Sequence, residues 1–448
     1  MKIVLPDKVQ KIIEQLNASG FEAYAVGGCV RDCCLGRIPN DWDITTAASP
    51  IQVKQIFPKT FDTGIEHGTI TVLLDGEGFE VTTYRIDGEY EDGRHPKQVS
   101  FTPSLTEDLK RRDFTINAMA YNEREGLVDL FGGLEDLEAG VLRCVGNPRE
   151  RFLEDALRMM RAVRFCAQLG FEMEAETARA IRELAPTLSR ISAERVQAEL
   201  VKLLVSPHPE YLRNAWELGI TGVILPEFDA LMCQPQNNGH HIFSVGEHTL
   251  ETLCRIREEK VLRLTMLLHD MGKPACAWVD EKGVYHYSGH AGKSAGLAKD
   301  ILKRLKFDND TSRKVVKLVG EHSLYPEATA KGVRFGIYQV GEELFPLFLE
   351  VKQADVLGQN PKVHEKKLAY LGQLWQLYQE ILERGDCLSL RQLAVTGRDL
   401  MELGIPGGKE LGALLHQLLL EVLEEPEKNQ REILLHRSME LQGKSNGI

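Results

Sequence analysis

Gly27-Gly28-Cys29-Val30-Arg31-Asp32, followed nine residues later by Asp41-Trp42-Asp43, decides the reading of this chain. Ahead of the glycines, Glu22-Ala23-Tyr24-Ala25-Val26 has the character of a short strand running into a tight turn. The diglycine lets backbone N–H groups come close to a triphosphate. Ile44 and the two threonines after Asp43 favour extended structure, so Asp41 and Asp43 are expected on a second strand. Residues i and i+2 of a strand share a face, about 7 Å apart. Two such carboxylates can hold a pair of divalent ions about 3.5–4 Å apart, the arrangement used for in-line displacement at phosphorus. A lone D-x-D occurs on many surface turns; its weight here comes from the G-G-x-V-R-D at fixed spacing.

Further ordered motifs follow. They are Thr63-Gly64-Ile65-Glu66-His67-Gly68-Thr69, Glu80-Val81-Thr82-Thr83-Tyr84-Arg85, Asp108-Leu109-Lys110-Arg111-Arg112-Asp113-Phe114-Thr115-Ile116-Asn117, and Glu154-Asp155-Ala156-Leu157-Arg158. Together with Gly27–Asp43 they resemble the class II tRNA nucleotidyltransferase family, which contains CCA-adding enzymes and bacterial poly(A) polymerases. The resemblance runs along most of the chain. It implies magnesium at Asp41 and Asp43, which activate the 3′-hydroxyl, and a triphosphate and ribose held by Gly27, Gly28, Arg31 and Asp32. It also implies that Arg112 and Asp113 touch the incoming nucleotide with Asn117 close by, although Asp113 is equally at home as a helix cap. Glu80 is either a third acidic group near the metals or an outward strand carboxylate.

Asp155 and Arg158 are expected at i and i+3 on one helix, facing the same way. A carboxylate beside a guanidinium offers acceptors and a planar donor fork. Within this family such a pair reads the Watson–Crick edges of cytosine and adenine in place of a nucleic-acid template. The competing reading is a plain Glu154–Arg158 helix salt bridge, worth a few tenths of a kcal/mol. Arg161 and Arg164 extend the series as candidate nucleotide or phosphate contacts. Ile86 to His95 is polar and glycine-punctuated, hence expected to be mobile. In the family a loop at this place is linked to the switch from C to A addition, which favours full CCA synthesis. The T-G-x-x-H-G-T form also points away from the poly(A) polymerase branch.

Composition bounds these readings. The 448 residues suggest two to four domains, and 43% apolar with 27% charged residues is ordinary for a soluble enzyme. No run of eighteen apolar residues occurs, so no membrane span is expected, and the polar N-terminus does not read as a signal peptide. Nine cysteines without a C-x-x-C pair suit reduced thiols and a cytoplasmic location. The net charge of −12 argues against a general nucleic-acid coat protein, and no DNA partner is expected. It leaves room for tRNA, because phosphate contact needs only a local positive stripe.

The fold expected is α+β: residues 1–140 form a nucleotidyltransferase-type mixed-sheet head, and all-α regions follow. These are a neck and body over 141–232, a metal-binding unit over 233–360 and a tRNA-binding tail over 361–448. In the third region His248, His269-Asp270 and Asp355 follow the order of an HD-superfamily metal site, with His290 and His322 as candidates for a second metal position. Imidazoles with carboxylates suit Ni, Co or Mn better than Mg. Similar domains hydrolyse phosphomonoesters or phosphodiesters. The sequence thus points to a CCA tRNA nucleotidyltransferase using CTP and ATP. Its rivals are an enzyme adding only CC, only A or a poly(A) tail, an HD phosphohydrolase with a nucleotide-binding head, and a non-catalytic RNA-binding protein.

Overall fold

The computed structural model describes residues 2–88, 99–237, 239 and 242–445. They form two compact units, 1–229 and 230–448. The first begins with helix α1 (Asp7–Ala18), whose apolar stripe Val9, Ile12, Ile13 and Leu16 is buried. Strand β1 (Ala23–Val26) leads into helix α2 (Gly28–Cys34), then β2 (Ile44–Thr46) and α3 (Pro50–Ile56). A reciprocal capping box between Ser49 and Gln52 starts α3. Strands β3 (Thr60–Gly64), β4 (Thr69–Leu74) and β5 (Glu77–Thr83) follow, then a small ribbon of β6 (Arg85–Asp87) with β7 (Val99–Phe101). Helix α4 (Leu105–Lys110), strands β8 (Met119–Asn122) and β9 (Gly126–Asp129), and helix α5 (Gly133–Ala139) complete the head.

Seven strands form one mixed sheet in the order β3-β4-β5-β2-β1-β8-β9. Only β2 and β5 pair in parallel; the rest of the ladder is antiparallel. All four residues of β1 are buried, as suits the sheet's interior. Tyr24, Val26, Tyr84, Leu109 and Ala120 form a core cluster of the head.

After the sheet come α6 (Pro148–Glu154), α7 (Leu157–Leu169), α8 (Ala175–Leu184) and α9 (Ala193–Leu204). Gly170, at φ +73°, closes α7 in the left-handed conformation that glycine adopts without penalty. The spacing of Asp155 and Arg158 predicts one helix through both, but the structure breaks it at Asp155, which is extended (φ −144°, ψ 104°). Among the described residues of the second unit, the regular elements are helical apart from a short hairpin, Trp278–Val279 with Tyr285–His286. No described helix is long and apolar enough to cross a membrane.

Candidate active site and metal centre

Asp41 and Asp43 sit just before β2 rather than on it, because the strand begins at Ile44. Asp43 is nevertheless tied to the sheet, since its carbonyl accepts from Val26 N–H at 3.0 Å. Asn40, Asp41, Asp43, Phe79 and Glu80 line one cavity of about 400 Å³, so Glu80 of β5 joins the two aspartates. Burial pushes the Asp43 carboxyl up; the Arg112 guanidinium pulls it down, and the charge of Asp41 raises it again, leaving it above its ordinary range. A carboxylate pair of this kind, open to the cavity, fits a divalent cation, which offsets the like-charge repulsion.

Beside the pair stands the diglycine. Gly27, at φ +82° and ψ −129°, is the N-cap of α2, and a Cβ there would lie 2.9 Å from Arg112 Nη1. Arg31 donates to Asn117 Oδ1 at 2.8 Å and, through Nε (2.9 Å) and Nη2 (2.7 Å), to Asp32 Oδ1. Asp113 accepts from Arg161 Nε at 2.8 Å and Nη2 at 2.6 Å, and from Asn117 Nδ2 at 3.3 Å. Burial alone would raise the Asp113 carboxyl, but Arg161 outweighs it and holds the group at about 2. Arg31, Arg161 and Arg164 all face the ring of Phe165, at 5.2, 5.4 and 3.8 Å from its centroid. The structure therefore brings Gly27, Gly28, Arg31, Asp32, Arg112, Asp113, Asn117 and Arg161 into one neighbourhood.

Two further expectations are corrected. Asp155 and Arg158 do not share a helix: Asp155 lies in the break, where its Oδ1 accepts from Leu157 N at 3.0 Å. Its carboxylate also takes a two-pronged contact from Arg195 of α9, at 3.2 and 2.7 Å. Arg158 bonds Glu154 Oε2 at 2.5 Å and donates to the carbonyls of Arg151 and Arg111 at 3.1 Å each. Secondly, Arg164 is no open phosphate contact. It is 6% exposed and bonds Glu199 Oε2 at 2.5 Å, so it braces the wall behind Phe165. The segment Glu89–His95 of the expected loop lies outside the described residues.

Sequence reasoning passed over Asp108, Arg195, Glu199 and Phe165. Fully buried Asp108 bonds Arg111 Nη2 at 2.7 Å, accepts from Thr45 Oγ1 at 3.1 Å and lies 3.7 Å from Arg112. It holds Arg111 and stands beside Arg112, the arginine whose charge lowers the Asp43 carboxyl. Its place in the Asp108–Asn117 motif was the available signal; Arg195 and Glu199, on another helix, gave none.

In the second unit, helix Val245–Cys254 carries His248, His269 caps the end of Lys260–Leu268, and Phe345–Leu357 carries Asp355. His248 Nε2 lies 3.0 Å from Asp355 Oδ1 and 3.7 Å from Asp270 Oδ2, and His269 Nε2 lies 3.1 Å from Asp270 Oδ2. His290 begins helix His290–Arg304 and His322 ends Asn309–Glu321. Burial would raise Asp270 and Asp355, yet the imidazoles facing them and nearby lysines hold both well below the carboxylate range. All six candidates thus converge, three imidazoles and Asp270 being almost fully buried. The donor set fits a transition metal.

A mixed sheet carrying a diglycine helix and paired aspartates, followed by helices, defines a nucleotidyltransferase. Family models agree segment by segment: the poly A polymerase head domain matches residues 23–143. The probable RNA- and SrmB-binding site of polymerase A matches 170–232, and the putative domain 2 of tRNA nucleotidyltransferase matches 290–437. The chain is 36% identical to the CCA-adding enzyme of Enterococcus faecalis, covering 95% of this chain and 93% of that one. It is 35% identical to the CCA-adding enzyme of Streptococcus mutans, covering 96% and 97%. Among solved structures, the Bacillus stearothermophilus CCA-adding enzyme in complex with CTP superposes with a TM-score of 0.72 at 30% identity, over 98% of this chain and 97% of that one. The chain belongs to the CCA-adding enzyme family.

Proposed function

We propose that this protein adds C, C and A to tRNA 3′ ends from CTP and ATP without a nucleic-acid template, with the head cavity as its active centre. The observation that carries the reading is the convergence of Asp41, Asp43 and Glu80 on one cavity beside the Gly27–Arg112 contact. Family members use divalent cations, generally Mg²⁺; bound at Asp41 and Asp43, they supply charge stabilisation to the attacking and leaving oxygens. The protein's own groups do the rest. The glycine at position 27 leaves the backbone open to close approach, while Arg31 and Arg112, oriented by Asn117 and Asp108, meet the triphosphate. Cytosine and adenine both present an amino donor next to a ring-nitrogen acceptor. Asp155 offers acceptors to that edge and Arg158 donors, with Arg195 holding the Asp155 carboxylate in place. Arg161 steadies Asp113 against the same wall. The deciding experiment supplies each nucleotide separately to tRNA transcripts lacking CCA, ending in CC, and complete. CTP must extend only the first and ATP only the second; ATP runs on all three would favour a poly(A) polymerase.

A second reading concerns the other unit, in which the HD-type cluster holds a transition metal such as Ni, Co or Mn and hydrolyses phosphate esters. It is supported by His248, His269, Asp270 and Asp355 meeting within hydrogen-bond reach or nearly so. The test is hydrolysis of an aryl phosphate and of 2′,3′-cyclic nucleotides across those metals, lost in a His269→Ala variant.

A further inference from the structure

Strands β3, β4 and β5 carry two unlike faces. On one, Ile70, Val72, Phe79 and Val81 are buried, and Asp62 accepts from Lys54 of α3 at 2.9 Å. On the other stand Phe61 and Thr63 of β3, Thr69 and Thr71 of β4, and Gly78, Glu80 and Thr82 of β5, none of them buried. The register joins these into rows: Phe61 pairs with Thr71 and Thr71 with Glu80, while Thr69 pairs with Thr82. Directly opposed residues share a face, and a Cβ on Gly78 would lie 3.0 Å from Thr71 Cγ2. Strand β2 runs parallel to β5 with Ile44 beside Val81, so Asp43 stands level with Glu80 at the end of the first row. Thr63 Oγ1 lies 2.9 Å from Thr71 Oγ1, and Thr69 Oγ1 lies 3.0 Å from Thr82 Oγ1. In each pair one hydroxyl spends its proton on the other, which leaves one proton and several lone pairs for a ligand. Phe61, at the far end of the first row, is 56% exposed.

We propose that this face of the sheet seats the single-stranded 3′ end of the RNA acceptor, with Phe61 stacked on a base and the threonine pairs bonded to ribose 2′-hydroxyls. The proposal rests on the nucleotide-transfer reading and adds to it the seat of the acceptor strand. That strand's 3′-hydroxyl has to reach Asp41 and Asp43, and the row Phe61–Thr71–Glu80–Asp43 ends there. Neighbouring strands lie about 4.8 Å apart, so Phe61 stands about 10 Å from Glu80 and about 14 Å from Asp43. It therefore meets a base behind the reacting nucleotide, not the reacting one. None of β3, β4 and β5 contains a lysine or arginine. Hydroxyls and an aromatic ring without cations fit sugar and base, and the strand's phosphates turn to solvent, away from Glu77 and Glu80. A 2′-hydroxyl both donates and accepts, which is what each threonine pair asks of a partner and what deoxyribose lacks.

The test measures single-nucleotide CTP transfer by the full chain to tRNA lacking CCA. Phe61→Ala should raise KM for tRNA about tenfold, the loss of one stacked base. KM for CTP and the salt slope of tRNA binding should not move, because no phosphate contact is lost. Phe61→Trp should restore the tRNA KM. Asp62→Ala, on the same strand but on the packed face, should keep the parent value. Thr71→Val should raise KM about fivefold on an all-ribose acceptor, and by nothing further on an acceptor with deoxyribose in the nucleotides just behind its 3′ end. An unchanged tRNA KM in Phe61→Ala, an equal rise for CTP, or an equal rise in Asp62→Ala overturns the stacking. No loss in Thr71→Val, or equal losses on both acceptors, overturns the 2′-hydroxyl contact. A parent chain that transfers no nucleotide at all overturns the transfer reading beneath both.

Discussion

Gly27→Ala separates what the glycine does for the backbone from what it does for the nucleotide. At φ +82° and ψ −129° the position lies where an L side chain is strained, at a cost of roughly 1–3 kcal/mol. That cost falls on stability. The new methyl would also lie 2.9 Å from Arg112 Nη1, the far end of a long side chain that can swing aside cheaply. On the proposed role of Arg112, swinging aside would take it off its line to the triphosphate, and a hydrogen bond to a charged group is worth about 1.5–3 kcal/mol. We expect kcat/KM for CTP to fall about 10- to 150-fold beyond any loss of folded protein. The assay is single-nucleotide incorporation into tRNA lacking CCA, run beside a urea titration of the same preparation. Wild-type transfer from a destabilised variant would refute the role of Arg112. Wild-type stability and transfer together would refute the need for glycine altogether.

Asp41→Asn or Asp43→Asn should abolish C and A addition together, since both depend on one metal centre; retention of either activity in an end-point assay would move that centre elsewhere. Arg195→Ala should release Asp155 and relax nucleotide choice by about 1–3 kcal/mol, read as UTP and GTP incorporation relative to CTP and ATP; an unchanged ranking would reduce Arg195 to a structural ion pair. Asp113, held at about 2 in the folded protein against about 3.9 unfolded, contributes stability that is complete above pH 4. On the order of 2 kcal/mol should be lost as pH falls from about 4 through 2. An Asp113→Asn variant should lack that slope in acid titrations of the urea midpoint, and an identical slope would place the acid sensitivity elsewhere.

What could be read from the sequence was what depends on neighbours along the chain. Gly27, Gly28 and the aspartates after them declare a turn and a charged edge by spacing alone, and the head's strands follow from short apolar runs between turn residues. Asp155 shows the opposite case. Its surroundings, Phe152 to Leu169, carry an unbroken helical pattern, and the break is stabilised by Arg195, forty residues away on α9. Arg164 likewise reads as a solvent-facing cation until Glu199, thirty-five residues on, takes it inside. The histidines of the second unit stand between these extremes. Three of them lean on carbonyls three residues back, a local habit of helix ends, whereas His248 needs Gly358, 110 residues distant.

The guanidiniums around Phe165 come with anions already attached: Asp32 to Arg31, Asp113 to Arg161 and Glu199 to Arg164. A phosphate group meeting Arg31 would exchange one counter-charge, Asp32, for another instead of meeting a bare cation. Its hold is then a difference between two ion pairs, far smaller than either. For a catalyst that must let go of pyrophosphate three times on each tRNA, that small difference works in favour of turnover.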